Sequence, residues 1–416
     1  MKAIQYMGSK TNLVCNIELA MRDFFGDSYD NQKTFFDAFS GSGTVANYFK
    51  NKFDVITNDK QSFTKVINEA NLKNRFDKQH FESLINELNA LPSEYFNKTD
   101  GWFTKTYAQE FNNGSSICDD GVRKIFLTKN GKKVDMIRFR IDEMFENGII
   151  NNNEKNVLLM SLISAVDKIT NTLGHQNGYL KEWSKKSLKD LVLIVPDLTI
   201  SNKNHKNFTG DIDKISPHVK ADIMYIDPPY GKSNGGTGTR YSSFYHLHNT
   251  IVENSRPEIF GKASKPVATR VSDRYESTKK IEVMKLMINL LKRSQCEHFV
   301  ISYSTSGLLS VQDFEKVFEL AGCNLDSLKL YKMNHTLNSQ STSAAKKLTQ
   351  MQLEGSVTEL LFIISKSNGY LCDESEIQLT LNLYLQQKGK FESCLKNIFI
   401  IDNGIISEMR GATENE

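Results

Sequence analysis

The sequence predicts an α/β protein, a sheet with helices on both faces, interrupted by a mainly helical insert. Three observations lead there. Residues 33–59, KTFFDAFSGSGTVANYFKNKFDVITND, read as strand, glycine turn, helix and second strand. Strand-prone and helix-prone runs alternate again from 191 to 365. Between these regions, 76–190 carries apolar residues at helical spacing.

The elements follow in chain order. A short extended piece, MKAIQYMGSKTN, leads into a helix over about 12–25. A strand at 34–38, a glycine turn at 39–43, a helix at 44–51 and a strand at 53–57 make a β-α-β unit ending at Asn58-Asp59, with a helix over 60–73 behind it. In the insert, DMIRFRIDEMF (135–145) and LLMSLISAVDKITNTL (158–173) show apolar stripes of helical period. VLIV (192–195) reads as a strand, and DIMYI (222–226) as a buried strand. A helix over 279–293, a strand at 298–304, a helix at 312–321 and a strand at 328–333 come next. ELLFIIS (359–365) is a near-continuous apolar strand. The tail, 366–416, reads as strands or as one helix with a hairpin turning at Asn403-Gly404. The Ser/Thr-rich stretch 338–346 is expected to be a loop.

Composition narrows the class. The chain has 416 residues, and a single core tends to stop growing near ~250–300 residues, so more than one folding unit is expected. Apolar content of 39%, with 25 Phe and 15 Tyr, supports a real core. Lys and Arg exceed Asp and Glu by three, 52 against 49, so overall charge does not select a partner. The basic runs 181–189, 262–280 and 329–347 are local. The six cysteines are scattered without a CxxC, and no HExxH occurs, which argues against a zinc knuckle or a disulfide framework. His246 and His248, two apart, are weak metal candidates. The chain shows no signal peptide and no long apolar run, so a soluble, cytoplasmic protein without membrane or metal partners is expected.

FSGSG (39–43) lies where strand meets helix, and its glycines permit a tight turn and close approach of a ligand. It lacks the GxxxxGK[ST] pattern of a phosphate loop. Ala46 stands where a dinucleotide fingerprint has its third glycine, a position that tolerates Ala, so that alternative stays open. Asp59 ends the second strand at a spacing suited to gripping ribose hydroxyls. Both NAD and S-adenosylmethionine present a ribose there. Lys10, in YMGSK, could pair with an amino-acid carboxylate, which only the latter carries.

Residues 227–230, DPPY, end the strand 222–226. The prolines fix φ and remove two N–H donors, leaving the Asp227 carboxylate and the Pro228 carbonyl as acceptors beside the flat face of Tyr230. Such a corner suits a planar group bearing an amine, such as the N6 amine of adenine. Two acceptors can take its hydrogens and aim the nitrogen lone pair at an activated methyl. Positioning and electrostatics then matter more than a strong base, and the proton can leave through Asp227 or water.

These residues resemble the D12 class of DNA N6-adenine methyltransferases, the Dam-like group of α-type motif order. YMGSK (6–10) resembles the motif that meets the methionine moiety, DAFSGSG (37–43) the glycine-rich cofactor motif, and Asn58-Asp59 the ribose-binding acid. FTGDI (208–212) is similar to the segment at the cofactor adenine, and DPPYG (227–231) to the catalytic motif. Softer likenesses are RYSSFYHLHNTI (240–251), FVISYSTSGLLS (299–310), ELLFI (359–363) and the helical stretch 138–172. The resemblance covers about residues 1–365. Asp37 stands where Glu is frequent, and Tyr6 where Trp is common.

The resemblance implies a Rossmann-like class I S-adenosylmethionine-dependent methyltransferase fold. Its sheet would be mostly parallel and seven-stranded, with the last strand antiparallel. It implies a catalytic domain from 1–75 and 191–365 and a helical insert at 76–190 as candidate DNA-recognition region; the tail, 366–416, lies outside the resemblance and is expected to be a small extension. Asp227, Pro228, Pro229 and Tyr230 would be catalytic, with Tyr230 stacking on an adenine flipped from double-stranded DNA. Tyr6, Gly8, Lys10, Asp37, Phe39, Gly41, Gly43, Thr44, Asp59, Asp211 and Ile212 would bind S-adenosylmethionine. Lys232, Arg240, Arg270, Arg274 and Lys332 would hold phosphates. The loops 232–278 and 334–358 and the tail are further candidates for reading the target. The expected setting is restriction–modification, with a cognate endonuclease acting on the same site as partner, or an orphan or phage-borne enzyme. RNA adenine or cytosine N4 as substrate, a nicotinamide-dependent oxidoreductase, and a non-catalytic DNA-binding subunit are the rival readings.

Overall fold

The computed structural model describes residues 4–72, 76–112, 114–230, 240–334, 358–367, 372–386, 393 and 395–409. Lys232, the stretch 338–346 and most of the loop 334–358 lie outside them.

A nine-stranded sheet forms the centre. Its strands are β1 (Thr34–Asp37), β2 (Asp54–Asp59), β3 (Lys206–Thr209), β4 (Ile223–Ile226), β5 (His298–Ser304), β6 (Cys323–Asn334), β7 (Thr358–Lys366), β8 (Asn397–Asp402) and β9 (Ile405–Glu408). They lie in the order β3-β2-β1-β4-β5-β7-β6-β8-β9. The first five in this order run parallel, and β7 runs antiparallel to both neighbours. The sheet thus exceeds the expected seven strands by two, β8 and β9, both from the tail. Without them β6 would offer an unpaired edge; β8 closes it by parallel pairing from Lys329↔Asn397 to Met333↔Ile401. Asn403 and Gly404, at φ 48° and 77°, turn the chain back into β9.

The larger helices are α1 (Val14–Phe25), α2 (Thr44–Phe49), α3 (Ser62–Leu72), α4 (Lys78–Asn89), α5 (Trp102–Tyr107), α6 (Thr128–Glu146), α7 (Asn152–Ile169), α8 (His246–Glu253), α9 (Lys280–Arg293), α10 (Val311–Leu320) and α11 (Glu374–Gln386). Alternation along each strand sends neighbouring side chains to opposite faces. Phe35, Ile223, Tyr225 and Val300 pack with Ile17 and Met21 of α1 and Phe49 of α2. Phe36, Met224, Phe299 and Ile301 pack with α9, α10 and α11. A third apolar cluster joins α3 and α8 to α4–α7.

Two local readings change. VLIV (192–195) forms no strand: Leu191 and Leu193 are buried and Val192 and Ile194 exposed. The amides of Leu191 and Leu193 donate to the side chains of Asn130 and Asn89, both at 2.9 Å, so side chains take the place of a partner strand. Conversely β3, a short polar edge segment, escapes a reading based on apolar runs. In the insert, α7 begins with a capping box between Asn151 and Glu154. Arg138 of α6 donates to the carbonyls of Ile251 (2.7 Å) and Val252 (3.2 Å), tying the insert to the C-terminus of α8. No helix among the described residues is long and apolar enough to cross a membrane.

Candidate active site

The carboxyl ends of β1, β2 and β4 open on a cavity of about 260 Å³. Its walls include Tyr6, Gly8, Lys10, Asp37, Phe39, Gly41, Thr44, Asp59, Asp211 and Ile212, together with Asp227, Pro228, Pro229 and Tyr230. One space therefore joins the glycine turn to the proline corner. Gly43 does not line it. It precedes α2 at φ 73°, where a Cβ would come within 2.2 Å of Asn68 Oδ1.

Each part is held by its neighbours. Gly41 takes φ 49°, and a Cβ there would meet the Tyr6 ring at 2.6 Å, so only glycine leaves room. The Gly41 amide donates to Asp59 Oδ2 at 3.0 Å, and the Gln61 amide to Oδ1 at 2.9 Å. Tyr6 stacks on Tyr245 at 4.9 Å between centroids and lies 5.6 Å from Tyr241. The Met7 amide donates to the Tyr245 hydroxyl at 2.7 Å. RYSSFYHLHNTI is thus the clamp on the N-terminal segment. His246 and His248 are buried in α8; burial depresses His246 to about 3, and the Tyr179 hydroxyl lies 3.2 Å from its ring. Among the described residues no group of three or more His, Cys, Asp or Glu is placed to hold a metal.

At the reactive corner, Lys10 Nζ lies 2.8 Å from Asp227 Oδ2, 3.0 Å from the Tyr230 hydroxyl and 3.2 Å from Glu359 Oε1. The Tyr230 hydroxyl is 2.5 Å from Asp227 Oδ1 and 3.0 Å from Glu359 Oε1. Burial pushes the Asp227 carboxyl up, Lys10 pulls it down, and Glu359 pushes it up again; the net direction is upward. Burial works against the Lys10 charge, but Asp227 and Glu359 outweigh it, so the ammonium is held above its ordinary value. Asp37 is raised well above the carboxylate range, first by burial and then by the charges of Asp227 and Asp59. Neither Asp37 oxygen receives a hydrogen bond of good geometry; the Ala46 amide lies near enough only to damp the rise.

The segment 273–276 completes the wall with Asp273, Tyr275 and Glu276. Arg274, whose side chain is 56% exposed, pairs with Asp211 (2.8 Å) and Asp213 (2.7 Å). Arg270 stacks on Phe260 at 4.2 Å. Arg240 is exposed beside the cavity residue Tyr241, and Lys332 lies within β6 opposite Leu360 of β7. Sequence reasoning missed Glu359 and the wall 273–276. An acid opening an apolar strand was a usable signal for the first; no pattern marked the second.

The chain matches the family model of the D12 class N6 adenine-specific DNA methyltransferases over residues 6–317. It belongs to that family. It is 29% identical over 361 residues to the modification methylase LlaI of Lactococcus lactis subsp. lactis, covering 84% of this chain and 54% of that protein. It is 30% identical over 335 residues to the type II methyltransferase M.FokI of Planomicrobium okeanokoites, covering 79% and 49%. With M.NlaIII of Neisseria lactamica the identity is 28% over 320 residues, covering 77% and 89%. The chain spans about half the length of the first two relatives.

Proposed function

We propose that the protein is a site-specific DNA adenine N6 methyltransferase that uses S-adenosylmethionine. Its setting is restriction–modification, or modification by an orphan or phage-borne enzyme. The observation that carries this reading is the single cavity shared by the glycine turn and the Asp227 corner.

The cavity's charge supports the cofactor. Six acids line it, Asp37, Asp59, Asp211, Asp227, Asp273 and Glu276, against two lysines, Lys10 and Lys60. Lys60 is taken by Asp273 at 2.6 Å and Arg274 balances Asp211, which leaves a surplus of buried acid. A sulfonium and an ammonium would relieve that surplus, whereas the pyrophosphate of a nicotinamide dinucleotide would add to it. The unpaired Asp37 oxygens and the buried, unpaired Asn58 Oδ1 are polar atoms in want of a ligand. Asp59 would hold the ribose, Asp211 and Ile212 the adenine, and the Tyr6–Lys10 segment the methionine end.

When bound, S-adenosylmethionine would supply a methyl already activated on sulfur. Asp227 and the Pro228 carbonyl would take the hydrogens of the target amine and aim its lone pair, and Tyr230 would lie against the base. The amine nitrogen would take up that methyl and pass its surplus proton to Asp227 or to water. Residues 1–75 and 191–365 would form the catalytic unit, whose seven strands β1–β7 are of the methyltransferase type. The insert 76–190 would read the duplex.

Purified protein should transfer labelled methyl to adenine N6 in duplex DNA, read by modification mapping, and calorimetry should show it binding S-adenosylmethionine but not NAD. Asp227→Ala should cut transfer at least ~10²-fold with cofactor affinity kept. Micromolar NAD binding without sulfonium binding, or methyl found only on RNA or cytosine, would overturn the reading.

A further inference from the structure

The carboxylate of Glu359 lies where the sheet's topology brings a strand start to the reactive edge. The parallel strands β1, β2 and β4 end at the cavity; β7 is antiparallel and therefore begins there. Glu359, its second residue, is buried and sits across from Ser304 of β5 and Met333 of β6. Ser302 Oγ donates to Glu359 Oε1 at 2.5 Å and holds it in place. The same oxygen is 3.2 Å from Lys10 Nζ and 3.0 Å from the Tyr230 hydroxyl.

Donor counting gives this arrangement its meaning. Tyr230 has a single O–H, so at any instant it can donate to Asp227 or to Glu359 but not to both. Lys10 likewise divides its ammonium between the two carboxylates. Both donors lie closer to Asp227, at 2.8 and 2.5 Å, than to Glu359, at 3.2 and 3.0 Å, and Asp227 is the acceptor that an incoming amine needs. We propose that Glu359 is a positioning residue for methyl transfer, the seat to which Lys10 and Tyr230 shift so that Asp227 is free to accept the amine. This rests on the reading of Asp227 as the amine acceptor. Glu359 itself does not touch the base. Without its charge, Lys10 would rest on Asp227, and the amine would have to displace that ion pair in a buried site. The negative charge of Glu359 also helps to hold the Asp227 carboxyl above its ordinary value.

The test is Glu359→Gln on the full chain, with transfer rate, cofactor affinity and rate against pH measured beside the wild type. The variant should lose about 10- to 100-fold in kcat at saturating DNA and cofactor. The dissociation constant for S-adenosylmethionine should change less than about threefold, well under the tenfold that 1.4 kcal/mol represents. The acidic limb of the rate profile should move to lower pH, and Glu359→Asp should recover part of the rate. Ser302→Ala, which frees Glu359 without removing its charge, should lower kcat by a smaller factor and serves if the first variant does not fold. Undiminished kcat in a folded variant, or a lowered kcat with a stationary acidic limb, overturns the proposal while wild-type transfer stands. A wild type that methylates no adenine overturns the parent reading and this one with it.

Discussion

At the scale of single residues, the site depends on shapes that few side chains can take. Gly41 is the sharpest case. Its backbone is left-handed, and the Tyr6 ring occupies the space of a side chain. Gly41→Ala should therefore cost about 1–3 kcal/mol through strain. It should also displace Tyr6, a wall of the cavity, and weaken cofactor binding by roughly tenfold or more, since ~1.4 kcal/mol is a factor of ten. Thermal melting and calorimetry on the variant would check both, and unchanged affinity would mean that the turn does not touch the cofactor. FSGSG was legible because glycine at a strand–helix junction has a physical reason to be there. Tyr6 as the turn's neighbour was not: the contact spans some 35 positions of chain and depends on the stack with Tyr245.

Among the elements, β7 and β8 carry the most information. The antiparallel direction of β7 puts Glu359 beside Asp227, although 132 positions separate them. The parallel pairing of β8 makes the tail part of the central sheet. Ile401 of β8 is 1% exposed and packs with Tyr331, Met333, Leu361 and Ile363. Ile401→Ala should destabilise the protein by about 2–4 kcal/mol, as a core truncation does. Denaturant unfolding should record this loss with little change in transfer by the folded fraction. A cost below ~0.5 kcal/mol would show that the strand is peripheral. The Asn403-Gly404 turn could be read directly from two residues, whereas the strand's partner could not, because apolar runs do not name the edge they will join.

Over the whole molecule, charge is the deciding quantity. The chain is nearly neutral, yet its cavity is acidic. Burial raises Asp59 and, more strongly, Asp37 above the ordinary carboxylate range. Their stabilising contribution is present below the ordinary carboxylate range and is lost as pH rises through the raised values. A bound cation lowers those values again. Binding of S-adenosylmethionine at about pH 5–6, above the ordinary carboxylate pKa, should therefore release protons. The calorimetric enthalpy should vary with the ionisation enthalpy of the buffer. A buffer-independent enthalpy would mean that these acids are already ionised before the cofactor binds.

The sequence alone determined the α/β alternation, the glycine turn, the Asp59 strand end and the Asp227–Tyr230 corner. Each is a local signal, set by backbone freedom, periodicity or the missing N–H of proline. Only the tertiary structure decided that Glu359 shares a lysine with Asp227, that 273–276 walls the cavity and that the tail extends the sheet. These depend on strand order and direction, which bring distant segments together through packing and pairing that no short window of sequence encodes.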